Sequence, residues 1–146
     1  MKLKPPGRLN AHDYPRIMAL WQAAGLHIRP KGRDSREAFE RQIASGILTV
    51  IGIETEQGDV IGVVLVTHDS RKGLINRLAV HPDWRRQGLA KKLISIAEDL
   101  LHEQGIDVTA VLIEPENTAS LKLFQATGYY EWPGMHYLSK RRSSDS

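Results

Sequence analysis

Between Gln87 and Gln104, the residues Leu89, Leu93, Ile96, Ala97, Leu100 and Leu101 recur at three- and four-residue spacing, and Gly105 closes the run. Such a stripe predicts one amphipathic helix with a single face on a core, stopped by a residue free to turn left-handed. Two β-rich runs flank it, Leu74 to Val80 before and Val108 to Ile113 after. A strand-helix-strand unit closes as a right-handed crossover between parallel strands. Whatever else the chain does, its sheet must hold a parallel pair covered by this helix.

The rest of the chain supplies antiparallel partners. Leu48 to Thr55, a turn at Gln57-Gly58-Asp59, Val60 to Thr67, and a polar turn at Asp69 to Lys72 leading into Leu74 read as successive hairpins, because short turns between β-rich runs leave no room for a crossover. Upstream, Ile17, Leu20, Trp21 and Ala24 predict a helix from Asp13 or Tyr14 to about Ala24, stopped by Gly25. Ser35 caps a second, to about Ser45, with Ala38, Phe39, Gln42 and Ile43 along one side. Asn117 to Thr127 predicts a shorter helix capped by Asn117, and Pro5-Pro6-Gly7 leaves room at the start for at most a short strand around Leu3. The expected fold class is α/β (α+β): a mixed, largely antiparallel central sheet with helices on both faces and a parallel strand pair.

The junction of strand and long helix carries chemistry. Leu78-Ala79-Val80 ends in His81-Pro82-Asp83-Trp84-Arg85-Arg86-Gln87-Gly88-Leu89-Ala90, a turn that is basic and then glycine-bearing. The first N–H groups of a helix have no internal partner and sit at the positive end of its dipole, so a phosphate there receives several hydrogen bonds together. Gly88 permits close approach to the backbone, and Arg85 and Arg86 add forked cationic donors.

Composition bounds the reading. The chain has 146 residues, 41% hydrophobic and 25% charged, a soluble composition at the size of one domain, taken as residues 1–140 with a frayed basic and serine-rich tail at 141–146. No run reaches the roughly 18 apolar residues that span a bilayer, and Met1-Lys2-Leu3-Lys4 opens no signal peptide, so the expectation is a cytoplasmic protein without a membrane partner. With no cysteine, thiolate metal sites and a cysteine nucleophile are excluded, and His12, His102 and His136 have no ligand spacing, so no metal is expected. A net charge of +3 is too small to argue for nucleic acid, and there is neither a phosphate-binding Gly-x-x-x-x-Gly-Lys-Ser/Thr loop nor an aromatic and basic surface pattern.

Two motifs in order then bring a family into view. Arg85-x-x-Gly88-x-Ala90 after Leu78-Ala79-Val80, followed by Asn117-x-x-Ser120-x-x-Leu123-Phe124-x-x-x-Gly128-Tyr129, resembles the signature motifs of the GCN5-related N-acetyltransferases. The resemblance implies acetyl-CoA as donor, with its pyrophosphate on the amides of Arg86, Gln87, Gly88, Leu89, Ala90 and Lys91. It implies further that Leu78, Ala79 and Val80 offer a strand edge to the pantetheine arm, that the parallel strands splay to admit the acetyl group, and that the Val80 N–H stabilises negative charge on the thioester oxygen. Asn117 and Ser120 would face the cofactor along one side of their helix. The acceptor would be an amine of a small molecule or peptide, attacking the thioester directly in a ternary complex.

Proton transfer is where this chain departs from the family. Relatives place a tyrosine acid at the position of Phe124, which has no proton to give. Tyr129 fills a position that packs in the core, leaving Tyr130 as the nearby free phenol. A general base is needed because a protonated amine has no lone pair. Glu54, His68, Glu114 and Glu116 lie near strand ends; Glu54 is the nomination, since Glu114 and Glu116 more simply suit the electrostatics of the Asn117 helix start. His81 reads as a turn residue and Trp84 as packing. The loop His27 to Arg33 flanks the acceptor side in the family, where Arg29, Lys31 and Arg33 would meet a carboxylate or simply be solvated. Trp132, Met135, Tyr137 and Leu138 suggest a last strand, whose edge could serve a homodimer. The alternative reading is a non-catalytic acyl-CoA binding or sensing domain that kept the cradle without the proton donor.

Overall fold

A computed structural model describes residues 2–146. Strands β1 (Gly7–Leu9), β2 (Thr49–Glu54), β3 (Val60–His68), β4 (Gly73–Ile75), β5 (Ala79–Val80) and β6 (Thr109–Val111) form one six-stranded sheet, ordered β1-β2-β3-β4-β6, with β5 also on β3. All pairings are antiparallel except β4 with β6, the parallel pair that the crossover demanded.

Helices α1 (Tyr14–Ala24), α2 (Arg36–Ala44), α3 (Leu89–Glu103) and α4 (Thr118–Ala126) cover both faces. Ile17, Leu20, Trp21 and Phe39 close one core over Val50, Val63 and Leu65. Leu93, Ile94, Ala97, Leu101 and Phe124 close the other over Ile51, Ile53, Val64 and Val66. The central strand is therefore buried on both sides, which is why Val60 to Val66 reads as a continuous apolar run rather than an alternation.

Local signals hold where they are local. The Ser35 hydroxyl accepts from Ala38 N–H at 3.1 Å, Asn117 Oδ1 accepts from Ser120 N–H at 3.1 Å, and Gly25 adopts the left-handed conformation that ends α1. In α3 the fully buried residues are Leu93, Ile94, Ala97 and Leu101, while Leu89, Ile96 and Leu100 pack at the margin of the same core.

Three expectations are corrected. The strand expected around Leu3 reduces to a single bridge with Thr55, and the true β1 lies at Gly7–Leu9; Pro5 and Pro6, which have no N–H to donate, separate the two. The run Leu74 to Val80 is two strands, because Leu65 accepts from Asn76 N–H at 2.9 Å and donates to Arg77 C=O at 3.3 Å, placing two residues opposite one. No strand follows α4: Pro133 and left-handed Gly134 cut the apolar run into pieces too short to pair, and Trp132, Met135, Tyr137 and Leu138 are exposed. The basic tail turns back toward the loop before α2, where a Cβ added at Gly32 would collide with the Asp145 carbonyl.

Candidate functional site

The break between β4 and β5 opens the sheet. β6 stays in register with β4 only as far as Ile75 opposite Val111, and β5 has β3 as its strand partner. Antiparallel pairs alternate between bonded and non-bonded positions. His81 N–H donates to Ile61 C=O at 2.8 Å, so Val80, opposite Gly62, is a non-bonded position whose N–H and C=O point away from β3. Leu78 shares that parity. An unpaired strand edge thus faces the gap between β5 and residues 112–114, ready for a ligand with amide groups of its own.

At the end of this edge the chain passes through a 3₁₀ turn, Pro82–Trp84, and enters α3. The first α-helical bond after it runs from Lys92 N–H to Gly88 C=O at 3.1 Å, and Gly88 provides no side-chain cap. The N–H groups of Leu89, Ala90 and Lys91 precede that bond and so lack helical partners. Arg86 and Gly88 are both left-handed, at φ 63° and 76°. For Arg86 this costs roughly 1–2 kcal/mol, a strain stored at the turn between strand and helix. Arg85, Arg86, Gln87 and Lys91 are exposed around it.

Across the gap lies a cavity of about 580 Å³, lined by Thr67, Asn76 and Arg77 of the sheet, Glu114 beyond β6, Arg33 and Asp34 of the loop, and Tyr137 and Arg141 of the C-terminal segment. Its most ordered feature escaped the sequence reading. Asp34, only 6% exposed, accepts from Arg77 at 2.8 Å and from Arg29 N–H at 2.7 Å, and Tyr14 donates its hydroxyl proton to the Asp34 carbonyl. Asp34 reads in the sequence as the residue before a helix cap, and nothing local announces a partner in the sheet. Arg77 holds the loop against the strand break itself.

The other nominated groups are dispersed. Glu54 lies outside that cavity, where its carboxylate takes Arg16 at 3.0 Å and Lys4 at 3.9 Å. Arg16 also reaches Asp13 and the Gly58 carbonyl, and its bonds to Glu54 and then Asp13 hold its pKa above the usual value. Tyr130 is 69% exposed, its ring beside Trp132, and lines a different cleft with Glu98 and Asp99. Phe124 is buried edge-to-face against Tyr129, with centroids 5.1 Å apart. Tyr129 donates to Glu98 at 2.7 Å; burial first, then that carboxylate, push its phenol well above its ordinary pKa. It clamps the end of α4 to α3. His81 Nδ1 accepts from Asp83 N–H at 3.1 Å, and Trp84 packs on the α3 core, as turn and packing residues do. The Asn117 carbonyl oxygen is spent as a helix cap, while its amide remains exposed beside Ser120 at the start of α4.

Among the described residues no group of histidine, cysteine, aspartate and glutamate could hold a metal ion, and no helix is long and apolar enough to cross a membrane.

Known proteins share this fold. The chain is 27% identical over 133 residues to the acetyltransferase SG1711 of Sodalis glossinidius, covering 91% of this chain and 92% of that one. Its fold superimposes on the aminoglycoside acetyltransferase AAC(6')-Iy, solved with a bisubstrate analog of CoA and acetylneamine, at a TM-score of 0.77 with 22% identity, covering 97% of this chain and 99% of that one. It also superimposes on the PaiA N-acetyltransferase of Thermoplasma acidophilum, solved with coenzyme A, at a TM-score of 0.75 with 14% identity, covering 89% and 91%. The model of the acetyltransferase (GNAT) family matches residues 14–129, spanning the split strand, the basic turn, α3 and α4. The chain belongs to the GNAT family and is an acetyltransferase.

Proposed function

We propose that the protein transfers an acetyl group from acetyl-CoA to a primary amine held in the cavity beside Arg77 and Glu114, by direct attack with both substrates bound. The observation that carries this reading is the parity of β5: Val80 directs its N–H away from β3 into the gap between the separated strands. The donor supplies an activated thioester carbonyl, and the chain's own residues do the rest. The amides of Arg86, Gln87, Gly88, Leu89, Ala90 and Lys91, with Arg85 nearby, fit a pyrophosphate, because they combine unpaired donors, a helix start and left-handed turns. Leu78 and Val80 offer edge hydrogen bonds to an arm containing amides, whereas Ala79, at the bonded position opposite Val63, turns its N–H and C=O to β3 and does not; Asn117 and Ser120 lie at the start of α4. The Val80 N–H meets negative charge as it develops on the carbonyl oxygen.

For the base, the geometry favours Glu114 over Glu54. Glu114 lines the cavity, whereas Glu54 is held by Arg16 and Lys4 outside it. Phe124 and the clamped Tyr129 leave the departing thiolate to be protonated by solvent, an undemanding step for so good a leaving group. Tyr130 would reach it only by moving from its place beside Trp132.

The test is a two-substrate kinetic grid. Intersecting double-reciprocal lines with acetyl-CoA and an active amine are expected for a ternary complex; parallel lines would mean a covalent acetyl-enzyme and overturn direct attack. Calorimetric binding of acetyl-CoA with no thiol release across amines, amino acids, aminoglycosides and peptides would instead support the sensor.

A further inference from the structure

The charges around the cavity specify the acceptor more closely. Asp34 is committed to Arg77 and to the Arg29 N–H, so this buried pair presents almost no net charge to a ligand. Three other charged groups line the cavity, Arg33, Arg141 and Glu114; among the described residues Arg33 and Glu114 have no ion-pair partner, and Arg141 is engaged by a backbone oxygen of Ser146. They are not mixed. Arg33 belongs to the loop before α2, and the C-terminal segment bearing Arg141 folds back toward that same loop at Gly32. Glu114 lies just past β6, beside the gap. By the elements that carry them, the loop and C-terminal segment bring two guanidinium groups to the cavity, and the chain just past β6 brings a single carboxylate.

A ligand that satisfies all three is an amine with an anion at a distance. The amine would meet Glu114 near the Val80 edge, and the anion would meet Arg33 and Arg141, whose planar forks match carboxylate oxygens. The Arg141 guanidinium donates to a backbone oxygen of Ser146 at 2.8 Å, a contact that the acceptor's anion would replace. A polyamine or aminoglycoside would set extra positive charge against the Arg33 and Arg141 guanidinium groups, and like charges across a site are strongly disfavoured. The volume of about 580 Å³ lies in the range of small-molecule pockets.

We propose that the acceptor is a small amine carrying a carboxylate, selected by Arg33 and Arg141 and aligned by Glu114. This rests on the acetyl-transfer reading above and goes further by fixing the acceptor's charge.

The experiment measures thiol release from acetyl-CoA with matched acceptors, each an amino acid and its carboxamide, alongside spermidine and an aminoglycoside. We expect the carboxylate member of a pair to exceed its carboxamide in kcat/KM by at least about tenfold, as a charge-assisted contact warrants, with the polycations poorest. Arg33→Gln and Arg141→Gln should each raise KM for the carboxylate while leaving KM for the carboxamide and the Kd of acetyl-CoA within about twofold. Both lie at exposed positions, so loss of folding does not confuse the result, and unchanged melting temperatures would confirm that. Turnover that ignores the carboxylate, or that favours the polycations, overturns this inference and leaves acetyl transfer standing. Donor binding without turnover of any acceptor overturns transfer and the inference together.

Discussion

The two sides of the gap are built by opposite means. The proposed donor side is one continuous run, from the outward edge of Leu78 and Val80 through the left-handed turn at Arg86 and Gly88 to the unpaired amides of α3. The acceptor side is gathered from a loop, a strand break, the end of β6 and the C-terminal segment, joined by the Asp34 to Arg77 pair across 43 positions of sequence. A cradle made of backbone is insensitive to most side-chain changes, whereas a pocket made of side chains from remote segments changes with any of them. One fold can therefore keep its donor and vary its acceptor.

Substitutions can set the two sides against each other. Ala90→Glu places a carboxylate among the α3 amides and should weaken acetyl-CoA by at least about a hundredfold in calorimetry, as repulsion at a desolvated anion site implies, with Tm nearly unchanged. Undiminished binding would remove the donor from this turn. Asp34→Asn should cost about 3 kcal/mol in urea unfolding, because it strands Arg77 in a largely buried place, while the folded variant keeps its donor affinity. A parallel loss of donor affinity would show that the sides are not separable.

Phe124→Tyr is smaller in effect. A hydroxyl inserted beside Tyr129 in the core should cost about 1–2 kcal/mol, without changing the pH profile of kcat; a new alkaline limb would place that position within reach of the thiolate. Smallest is Glu54→Gln, which should leave kcat within about twofold and cost under about 1 kcal/mol, as partly exposed ion pairs do. A collapse in kcat there would return the base to Glu54. The same cluster predicts an acid limit. Burial raises the Asp13 pKa, but its bonds from Asn10 N–H and Arg16 outweigh this and bring it below the ordinary value. Its stabilisation is complete above that ordinary value and is lost as pH falls through the lower folded-state pKa. Thermal melts should show stability declining below about pH 4, less steeply in Asp13→Asn.

The same division explains what could be read without coordinates. The α3 stripe, the Ser35 and Asn117 caps and the basic turn are set by residues within a turn or two of each other, and the structure places each where the sequence does. The break at Asn76 and Arg77 depends on which backbone groups Leu65 engages, and the position of β1 on its register with β2. Asp34 and Arg77 are unremarkable letters until the loop and the strand meet. Glu54 lies at a strand end near the middle of the sheet, as the sequence suggests, but α1 brings Arg16 to it, a contact across 38 positions that no local pattern encodes.

Gly73, at the start of β4, has a consequence far from itself. Its missing side chain is replaced by Leu101, near the last turn of α3, so that the helix rests directly on bare backbone. Fifteen residues of α3 make a rigid beam roughly 22 Å long, anchored at this contact and ending at the unpaired amides above Val80. A methyl group at residue 73 would act as a shim under one end of that beam and tilt the other. The spacing between the α3 amides proposed to hold the phosphate and the Val80 edge is thus gauged in part by a glycine that touches neither.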